Sequence, residues 1–176
     1  MRCASALFGK ADQGHEPLDI NELTAGVLQT LRDEINRDGV TARTALQSGL
    51  PLVMGHRGQL QEALINLVRN AIEAMHAVAG GRRILQVRTE RHGNNAVAIA
   101  VEDTGSGIDP KHIDSIFDAF ITTKAHGMGL GLALCRMIIE RHAGQLSAAP
   151  ARPHGSIFRV VLPAAKAGAG AQQANS

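Results

Sequence analysis

The segment that decides the fold is QLQEALINLVRNAIEAMHAV, residues 59–78. Its apolar residues recur at helical spacing and predict a buried stripe of Leu60, Leu64, Leu67, Val68, Ala71 and Met75. The other face is polar and carries Gln59, Glu62, Asn66, Asn70 and Glu73. Two asparagines one turn apart are unusual in a helix, because the Asn amide competes for backbone hydrogen bonds. The polar face is therefore either an ordinary solvated face or a row of amides used for coordination and hydrogen bonding.

A glycine cluster, Gly127-Met128-Gly129-Leu130-Gly131-Leu132, leads directly into a second predicted helix from about Leu130 to His142. A helix amino terminus next to glycines exposes N–H groups and the positive end of the helix dipole, which favours phosphate. The cluster is not a Walker A motif, since it lacks Gly-Lys-Ser/Thr. It is not a dinucleotide fingerprint either, because Leu132 stands where the third glycine belongs.

The segment Asp103-Thr104-Gly105-Ser106-Gly107-Ile108 follows a predicted strand, Ala96–Val101. A carboxylate at a strand end beside two glycines can accept from an exocyclic amine while the backbone approaches a flat base. An ordinary turn is the alternative, because Asp-Thr-Gly is turn-prone. Asp-Thr-Gly-Ser is also typical of aspartic proteases, but those need two such carboxylates in an all-β setting. A single copy in a chain this helical argues against a protease.

A third segment lies between these two and holds Phe117-Asp118-Ala119-Phe120 and Thr122-Thr123-Lys124. In this order, the four segments resemble the N, G1, F and G2 boxes of the ATP-binding domain of bacterial sensor histidine kinases, in the GHKL (Bergerat-fold) superfamily. The resemblance covers about Pro17 to Pro163. It implies that the protein binds Mg-ATP and supplies a phosphoryl group to a histidine elsewhere.

The resemblance assigns roles to residues that match the boxes. Asn70 would give its side-chain oxygen to Mg²⁺, and Asn66 would hydrogen-bond the phosphates or a metal-bound water. Asp103 would accept from the adenine 6-amino group, while Lys124 in the lid would neutralise charge that develops on the phosphates. The remaining nucleotide contacts would come from Gly105, Gly107, Thr123, Gly127, Gly129, Leu130, Gly131 and, near the adenine, Ser156. Glu73 departs from the family pattern, since some members have Lys there, and no phosphate contact is assigned to it.

Outside these boxes the chain predicts one more helix and six strands. Asp19 and Glu22 form a capping box before apolar residues that continue to Ile35, and Gly39 supplies the stop. The predicted strands span residues 40–46, 50–54, 84–89, 96–101, 145–149 and 156–162. Helices covering one face of a mixed sheet give an α/β fold, a two-layer α/β sandwich.

Composition bounds the class of protein. The 176 residues are 44% hydrophobic and 19% charged, with a net charge of +2, which indicates a globular protein and gives no reason to expect a nucleic-acid partner. Cys3 and Cys135 have no metal or redox spacing and fit a reduced compartment. No apolar run reaches the ~18 residues of a membrane span. We therefore expect a cytoplasmic location and no direct membrane contact by this chain, whether or not a longer parent is membrane-attached.

We expect residues 1–16 to be an N-terminal remnant or linker, 17–163 the ATP-binding kinase domain, and 164–176 a disordered tail. Among eight histidines, His15-Glu16 superficially resembles the family's phosphoacceptor box. It abuts Pro17 and lies too close to the asparagines for the long helix that the acceptor needs, so the phosphoacceptor domain is expected to be absent. The other histidines show no metal spacing, and most are expected at the surface: His56, His76, His92, His112, His126, His142 and His154.

Three functions follow from the sequence. The first is the catalytic domain of a two-component histidine kinase, which binds ATP or ADP and Mg²⁺ and serves a separate histidine-bearing dimerisation domain and a downstream response regulator. Such a domain would be monomeric and would not autophosphorylate alone. The second is a GHKL-type ATPase, which would need a Glu general base where this chain has Asn66. The third is a nucleotide-gated interaction module without transfer activity.

Overall fold

The computed structural model describes residues 14–118 and 130–166. Its first half runs through β1 (His15–Leu18), α1 (Ile20–Thr30), α2 (Arg32–Arg37), β2 (Thr41–Leu46), β3 (Val53–His56) and α3 (Arg57–His76). Its second half contains β4 (Ile84–His92), β5 (Ala96–Asp103), two short 3₁₀ turns (Pro110–His112 and Ser115–Phe117), α4 (Gly131–Arg141), β6 (Gln145–Pro150) and β7 (Ser156–Pro163). None of the helices within these residues is long and apolar enough to cross a membrane.

Five strands form one mixed sheet in the order β2-β4-β5-β7-β6. The β2–β4 pair is parallel and the other three pairs are antiparallel. Strands β1 and β3 form a separate antiparallel pair. Helices α3 and α4 pack their apolar residues with those of one sheet face into a single core. The predicted two-layer α/β sandwich with a mixed sheet is therefore confirmed.

The other face of the sheet carries no helix within the described residues and is covered by its own charged side chains. Arg88 pairs with Glu102 at 3.0 Å, and Arg159 pairs with Glu90 at 2.7 Å. Beneath them Ala98 is only 1% exposed. Long arginine stems thus shield small apolar residues while their charged ends stay in water.

The prediction for α3 is confirmed in detail. All six residues of the predicted stripe are buried, together with Ala63 and Ile72. The polar face stays more accessible: Asn66 and Asn70 are half-buried, and Glu62 and Glu73 are exposed.

The first helix begins as predicted but is interrupted once. Oδ1 of Asp19 accepts from the N–H groups of Asn21 (2.8 Å) and Glu22 (3.1 Å). The side chain of Glu22 does not complete a capping box and instead pairs with Arg57 at 3.3 Å. The helix breaks at Leu31 (φ −94°, ψ 6°), after Thr30 donates from Oγ1 to the carbonyl of Gly26. A hydrogen bond from a threonine hydroxyl to the carbonyl four residues earlier bends helices. The prediction of one continuous helix up to Ile35 is therefore wrong, because the structure has two helices, α1 and α2.

Removing the Asp19 side chain, which caps α1, should lower the stability of the protein by a measurable amount. We expect Asp19→Ala to lower the free energy of unfolding by about 1 kcal/mol, because two helix N–H groups lose their acceptor. In a chain of this size that corresponds to a fall in Tm of about 2–4 °C by calorimetry. Asp33→Ala removes the same charge at an exposed position of α2 and should shift Tm much less. Equal shifts in the two variants would contradict the capping role.

Three further differences from the sequence prediction concern the chain ends and a short strand. Strand β1 was not predicted, because Pro17 interrupts its pattern, yet a two-stranded edge tolerates proline. Strand β3 lies a few residues later than the predicted 50–54. At the other end, Ala164 and Ala165 still donate to the carbonyls of Asn95 (2.8 Å) and Leu52 (2.7 Å), beyond the predicted domain end. Residues 167–176 lie outside the described residues.

His142 is buried, contrary to the surface position expected of most histidines. It is 5% exposed, and both ring nitrogens are engaged: Nε2 accepts from the N–H of His56 (3.0 Å), and Nδ1 lies 2.7 Å from the carbonyl of Ile138. With Nε2 accepting, Nδ1 carries the proton and donates to that carbonyl. A side chain at Gly55 would come within 2.9 Å of the ring. His142 therefore joins the end of α4 to the start of α3.

Candidate functional site

The site is built around a buried carboxylate at the end of β5. Asp103 pairs across the sheet with Leu85 of β4 and Ser156 of β7, and it is 1% exposed. Its Oδ1 accepts from the N–H of Gly105 at 2.7 Å. Its Oδ2 is buried and has no hydrogen-bond partner among the described residues. A buried acceptor without a donor is costly, so this atom marks a position where a ligand N–H group would fit.

Burial raises the pKa of Asp103 from 3.8 to about 6. The N–H of Gly105 acts in the opposite direction because it stabilises the charged form, as does the nearby amide of Ser156, which does not come within hydrogen-bond geometry of the carboxylate. The charge of Glu102 adds slightly to the increase, and His154 slightly reduces it. At neutral pH the carboxyl is ionised and can only accept, which fits a ligand that donates.

Glycines allow the loop after Asp103 to lie directly against α3. A Cβ at Gly105 would come within 2.6 Å of the backbone carbonyl of Ala74, and Ser106 donates from its N–H to that oxygen at 3.2 Å. On the sheet side, a Cβ at Gly155 (φ +110°) would collide with the carbonyl oxygen of Asp103. Both positions need glycine because another backbone occupies the space of a side chain.

The side chain of Thr104 fixes the same loop from the side of β4. Its Oγ1 accepts from the N–H of Ile84 at 3.0 Å and donates to the carbonyl of Arg82 at 2.7 Å. The loop is therefore held by β4, β7 and α3 at once, and Asp103 has little freedom to turn away.

The loop lies at one end of the polar face of α3. Ala74, which contacts Gly105, follows Asn70 by one helical turn, and Asn70 follows Asn66 by one turn. Residues at this spacing share a helix face. The structure thus brings the two asparagines and the loop after Asp103 to one side of α3, with the asparagines along the helix and the carboxylate beyond its last turns.

Helix α4 runs antiparallel to α3 and brings its amino terminus to the same side. His142 is bonded to His56, and Sγ of Cys135 donates to the carbonyl of Ala63 at 3.4 Å. The two contacts are seven residues apart along α4 (142 and 135) and seven residues apart along α3 (56 and 63). The numbers fall on one helix as they rise on the other, so the helices are antiparallel. One turn further, Gly131 lies level with Leu67, between the turns that hold the asparagines. Leu130 provides no side-chain cap for the first N–H groups of α4, which a helix cannot satisfy internally.

Phe117 connects this end of α4 to the sheet. It is buried, packs edge-on against Phe158 of β7 with the ring centroids 6.3 Å apart, and lies under the guanidinium of Arg136 of α4, 5.2 Å away. Phe158 is two residues after Ser156, the partner of Asp103. The aromatic ring therefore spaces the amino-terminal half of α4 from the strand end that carries the carboxylate.

Several predicted site residues lie outside the described residues, and their positions stay predictions: Phe120, Thr122, Thr123, Lys124, His126, Gly127, Met128 and Gly129. Gly107 is described; it has φ +79°, and a Cβ there would lie 3.2 Å from the carbonyl oxygen of Gly155. Within residues 14–118 and 130–166, no three His, Cys, Asp or Glu side chains come together as metal ligands.

Sequence reasoning missed three residues that shape the site: Ala74, Thr104 and Gly155. Ala74 had a usable signal, since it is a small residue one turn after Asn70 on the polar face. Thr104 and Gly155 had none, because their roles depend on contacts with β4 and β5 that are distant in sequence. Ser156, expected near the base, contributes through its backbone beside Asp103.

The close contact at Gly105 leads to a prediction. Gly105→Ala should push the loop away from Ala74, with an overpacking cost of about 1–3 kcal/mol and a clear loss of affinity for any ligand held by Asp103. Thermal unfolding and ligand titration check the two effects. Gly26→Ala is the matched control, since a Cβ there meets nothing within 4 Å and should stabilise the exposed turn of α1. Unchanged ligand affinity in Gly105→Ala would argue against this loop as part of the site.

The arrangement defines a class of protein: an α/β domain with a buried acceptor at a strand end, beside a polar helix face and an uncapped helix terminus. A family model of histidine kinase-, DNA gyrase B-, and HSP90-like ATPases matches residues 55–166. This match covers more than half of the chain, and the chain belongs to that family.

Sensor kinases are among the relatives of the chain. The sensor histidine kinase TmoS of Ectopseudomonas mendocina is 37% identical over 149 residues, which are 84% of this chain and 15% of TmoS. The sensor protein FixL of Bradyrhizobium diazoefficiens is 42% identical over 126 residues, which are 72% of this chain and 25% of FixL. The chain therefore spans about a quarter or less of the length of these two relatives.

Solved structures agree with this assignment. The catalytic domain of the histidine kinase ThkA superposes with a TM-score of 0.75 at 29% identity, covering 85% of this chain and 95% of that domain. Full-length ShkA, solved in complex with AMPPNP, gives a TM-score of 0.75 at 26% identity, covering 86% of this chain and 31% of ShkA. The chain has the catalytic ATP-binding domain of a sensor histidine kinase, as the four boxes predict.

Proposed function

We propose that this domain binds Mg-ATP and transfers the γ-phosphoryl group to a histidine on a separate dimerisation domain, from which a response regulator would receive it. The observation that carries the proposal is the buried, unpartnered Oδ2 of Asp103. The adenine 6-amino group is a donor of the required kind, and the glycine loop lets a flat base approach the backbone. A guanine presents a carbonyl oxygen at that position and would leave the carboxylate without a donor.

The phosphates are proposed to lie along α3 towards the amino terminus of α4. The asparagine face leads from the loop after Asp103 to the level of Gly131, so a nucleotide with its base at Asp103 would point its phosphates at the first N–H groups of α4. These groups and the helix dipole favour an anion. Lys124 is proposed to add a positive charge there, and Thr123 a hydrogen bond.

Asn70 fits the role of magnesium ligand. A carboxamide oxygen is a hard, neutral donor, and Mg²⁺ takes most of its remaining ligands from water and phosphate. When bound, the ion would neutralise phosphate charge and hold the β- and γ-phosphates in one geometry. Asn66, one turn earlier, would orient a phosphate or a metal-bound water by hydrogen bonding.

The residues of this chain would act by positioning and charge neutralisation. The acceptor is the lone pair of a neutral imidazole nitrogen, which forms the new N–P bond while the bond from the γ-phosphorus to the bridging oxygen breaks and ADP leaves. A neutral imidazole needs no general base to expose that lone pair. This agrees with Asn66, which cannot accept a proton and so gives no means of activating water for ATP hydrolysis.

A ³²P transfer assay tests the proposal. The chain is mixed with [γ-³²P]ATP, Mg²⁺ and the dimerisation domain of a related sensor kinase, and label is followed on both proteins. We expect acid-labile, base-stable label on the dimerisation domain, none on this chain, and loss of label when the acceptor histidine is replaced. Release of inorganic phosphate without labelled protein would favour the ATPase alternative. ATP binding without transfer or hydrolysis would favour an interaction module.

A further inference from the structure

A second concave surface lies at the start of β2 and β4, apart from the asparagine face. It is a cavity of about 280 Å³ lined by Thr41, Ile84, two glycines (Gly39 and Gly81) and three arginines (Arg43, Arg82 and Arg83). We call it the arginine cavity. A Cβ at either glycine would meet no atom within 4 Å, so the glycines leave the cavity open.

The charge of the arginine cavity is unbalanced. None of the residues that line it is acidic, and the side chains of Arg43 and Arg82 form no ion pair or hydrogen bond with other described residues. Five other arginines of the described chain each pair with a glutamate: Arg57, Arg69, Arg88, Arg136 and Arg159. Three arginines at one concave surface with no acidic lining residue give it a positive potential, which favours an anion.

The backbone of the arginine cavity is fixed before any ligand arrives. Nη1 of Arg83 donates to the carbonyl of Asp38 at 2.8 Å, and the carbonyl of Arg83 accepts from the N–H of Thr41 at 2.8 Å. Thr104 holds the carbonyl of Arg82 through its Oγ1. A pre-formed backbone lowers the entropy cost of binding, so the two unpaired guanidinium groups need only close on a ligand.

Size and charge together select the kind of ligand. Pockets for whole drug-sized molecules hold about 300–1,000 Å³, and the arginine cavity falls just below that range. Guanidinium groups bind phosphate oxygens through paired N–H donors. A small anion with several negative charges and many acceptor oxygens matches this lining, in which three residues are arginines and Ile84 is the one large apolar residue.

We propose that the arginine cavity is a second anion site that binds a diphosphate group, independently of the nucleotide site at Asp103. The ligand is a free inorganic or small organic diphosphate, held by Arg43, Arg82 and Arg83. The lining shares no residue with the asparagine face or with α4, and its link to the nucleotide site is Thr104, which bonds the backbone of Arg82 and Ile84. The proposal does not depend on the proposed kinase function, since none of the three arginines takes part in it.

Titration with inorganic pyrophosphate tests the proposal, followed by calorimetry and by the amide resonances of the labelled chain. We expect saturable binding that moves the resonances of Thr41, Arg82, Arg83 and Ile84, also when ADP and Mg²⁺ are present in excess. Shifts confined to Gly131 and Leu132, at the start of α4, would place pyrophosphate in the nucleotide site and overturn the proposal. Succinate binding as tightly as pyrophosphate would overturn the diphosphate assignment.

Two double variants, each of which removes two positive charges, distinguish binding at a specific site from general electrostatic attraction to the protein. Arg43→Gln with Arg82→Gln should weaken pyrophosphate binding at least tenfold, the loss of two charge-assisted contacts. The control variant, Arg88→Gln with Arg91→Gln, changes two arginines of β4 that do not line the cavity. It should weaken pyrophosphate binding by no more than about twofold, since exposed charges act weakly at a distance. Equal losses in the two variants, or no binding to the wild type, would overturn the proposal. Circular dichroism checks that both variants fold.

Discussion

Replacing Asp103 with asparagine is expected to weaken adenine-nucleotide binding by about 100-fold or more and, at the same time, to stabilise the empty domain. The carboxylate places an acceptor, Oδ2, at the end of β5 that has no hydrogen-bond partner among the described residues. In the variant, an amide NH₂ at the position of Oδ2 would meet the donor of the ligand, and two facing donors lose the hydrogen bond and bury an unsatisfied group.

The gain in stability follows from the pKa of Asp103. Because burial raises the folded-state pKa to about 6 from 3.8, the folded protein holds this proton between those two pH values while the unfolded chain has released it. Stability therefore falls as pH rises through that window, and the buried anion costs roughly 2–3 kcal/mol at neutral pH. Asparagine carries no charge to bury, although its unpaired NH₂ offsets part of the gain.

Chemical denaturation from pH 4 to pH 8 and calorimetric titration of ADP measure the two effects. The wild type should lose stability between pH 4 and about 6 relative to Asp103→Asn, and its ADP affinity should fall as the pH is lowered through about 6. Glu90→Gln is the control, because it removes one carboxylate from the open face of the sheet. Its ADP affinity should match that of the wild type. If Asp103→Asn bound ADP as tightly as the wild type, Asp103 would not be part of the nucleotide site.

The Asp103 carboxylate is expected to lower the stability of the empty domain and to strengthen nucleotide binding. A residue that costs stability in this way indicates a functional role. A fold optimised only for stability would not leave a buried acceptor without a donor. The sequence already indicates Asp103 as a base-binding residue, because an acidic residue closes an otherwise apolar strand and two glycines follow. Burial and the missing partner of Oδ2 are visible only in the structure, since Ser156 and Gly155 come from a strand more than fifty residues away.

Local patterns predicted the elements that carry their own periodicity. The stripe of α3 and the alternation of β4, β5 and β7 appear in the sequence because each element buries one face. The break at Leu31 did not, since it depends on a side-chain hydrogen bond of Thr30. Burial of His142 was also missed, because the space that it fills is created by Gly55, a residue distant in sequence. Strand β1 was missed because it pairs with β3, which lies some forty residues further along the chain.

Replacing Asn70 with alanine is expected to remove the magnesium dependence of nucleotide binding. In the wild type, Mg²⁺ should tighten ATP binding if, as proposed, the Asn70 oxygen is one of its ligands. Without that oxygen, Mg-ATP affinity should fall at least tenfold, as for the loss of groups that support a metal site. Metal-free binding should change little, because Asp103 and its loop are untouched and alanine is the better helix former.

Calorimetric titrations of ATP with Mg²⁺ and with EDTA separate these two contributions. Asn70→Asp keeps an oxygen donor and should retain a magnesium effect, which distinguishes coordination from simple packing. Asn36→Ala makes the same substitution at an exposed position of α2 and should leave both titrations unchanged. If Asn70→Ala weakened binding equally with and without Mg²⁺, the asparagine would contact the nucleotide directly. The metal would then need another ligand, for which Asn66, one turn away on the same face, is the available amide.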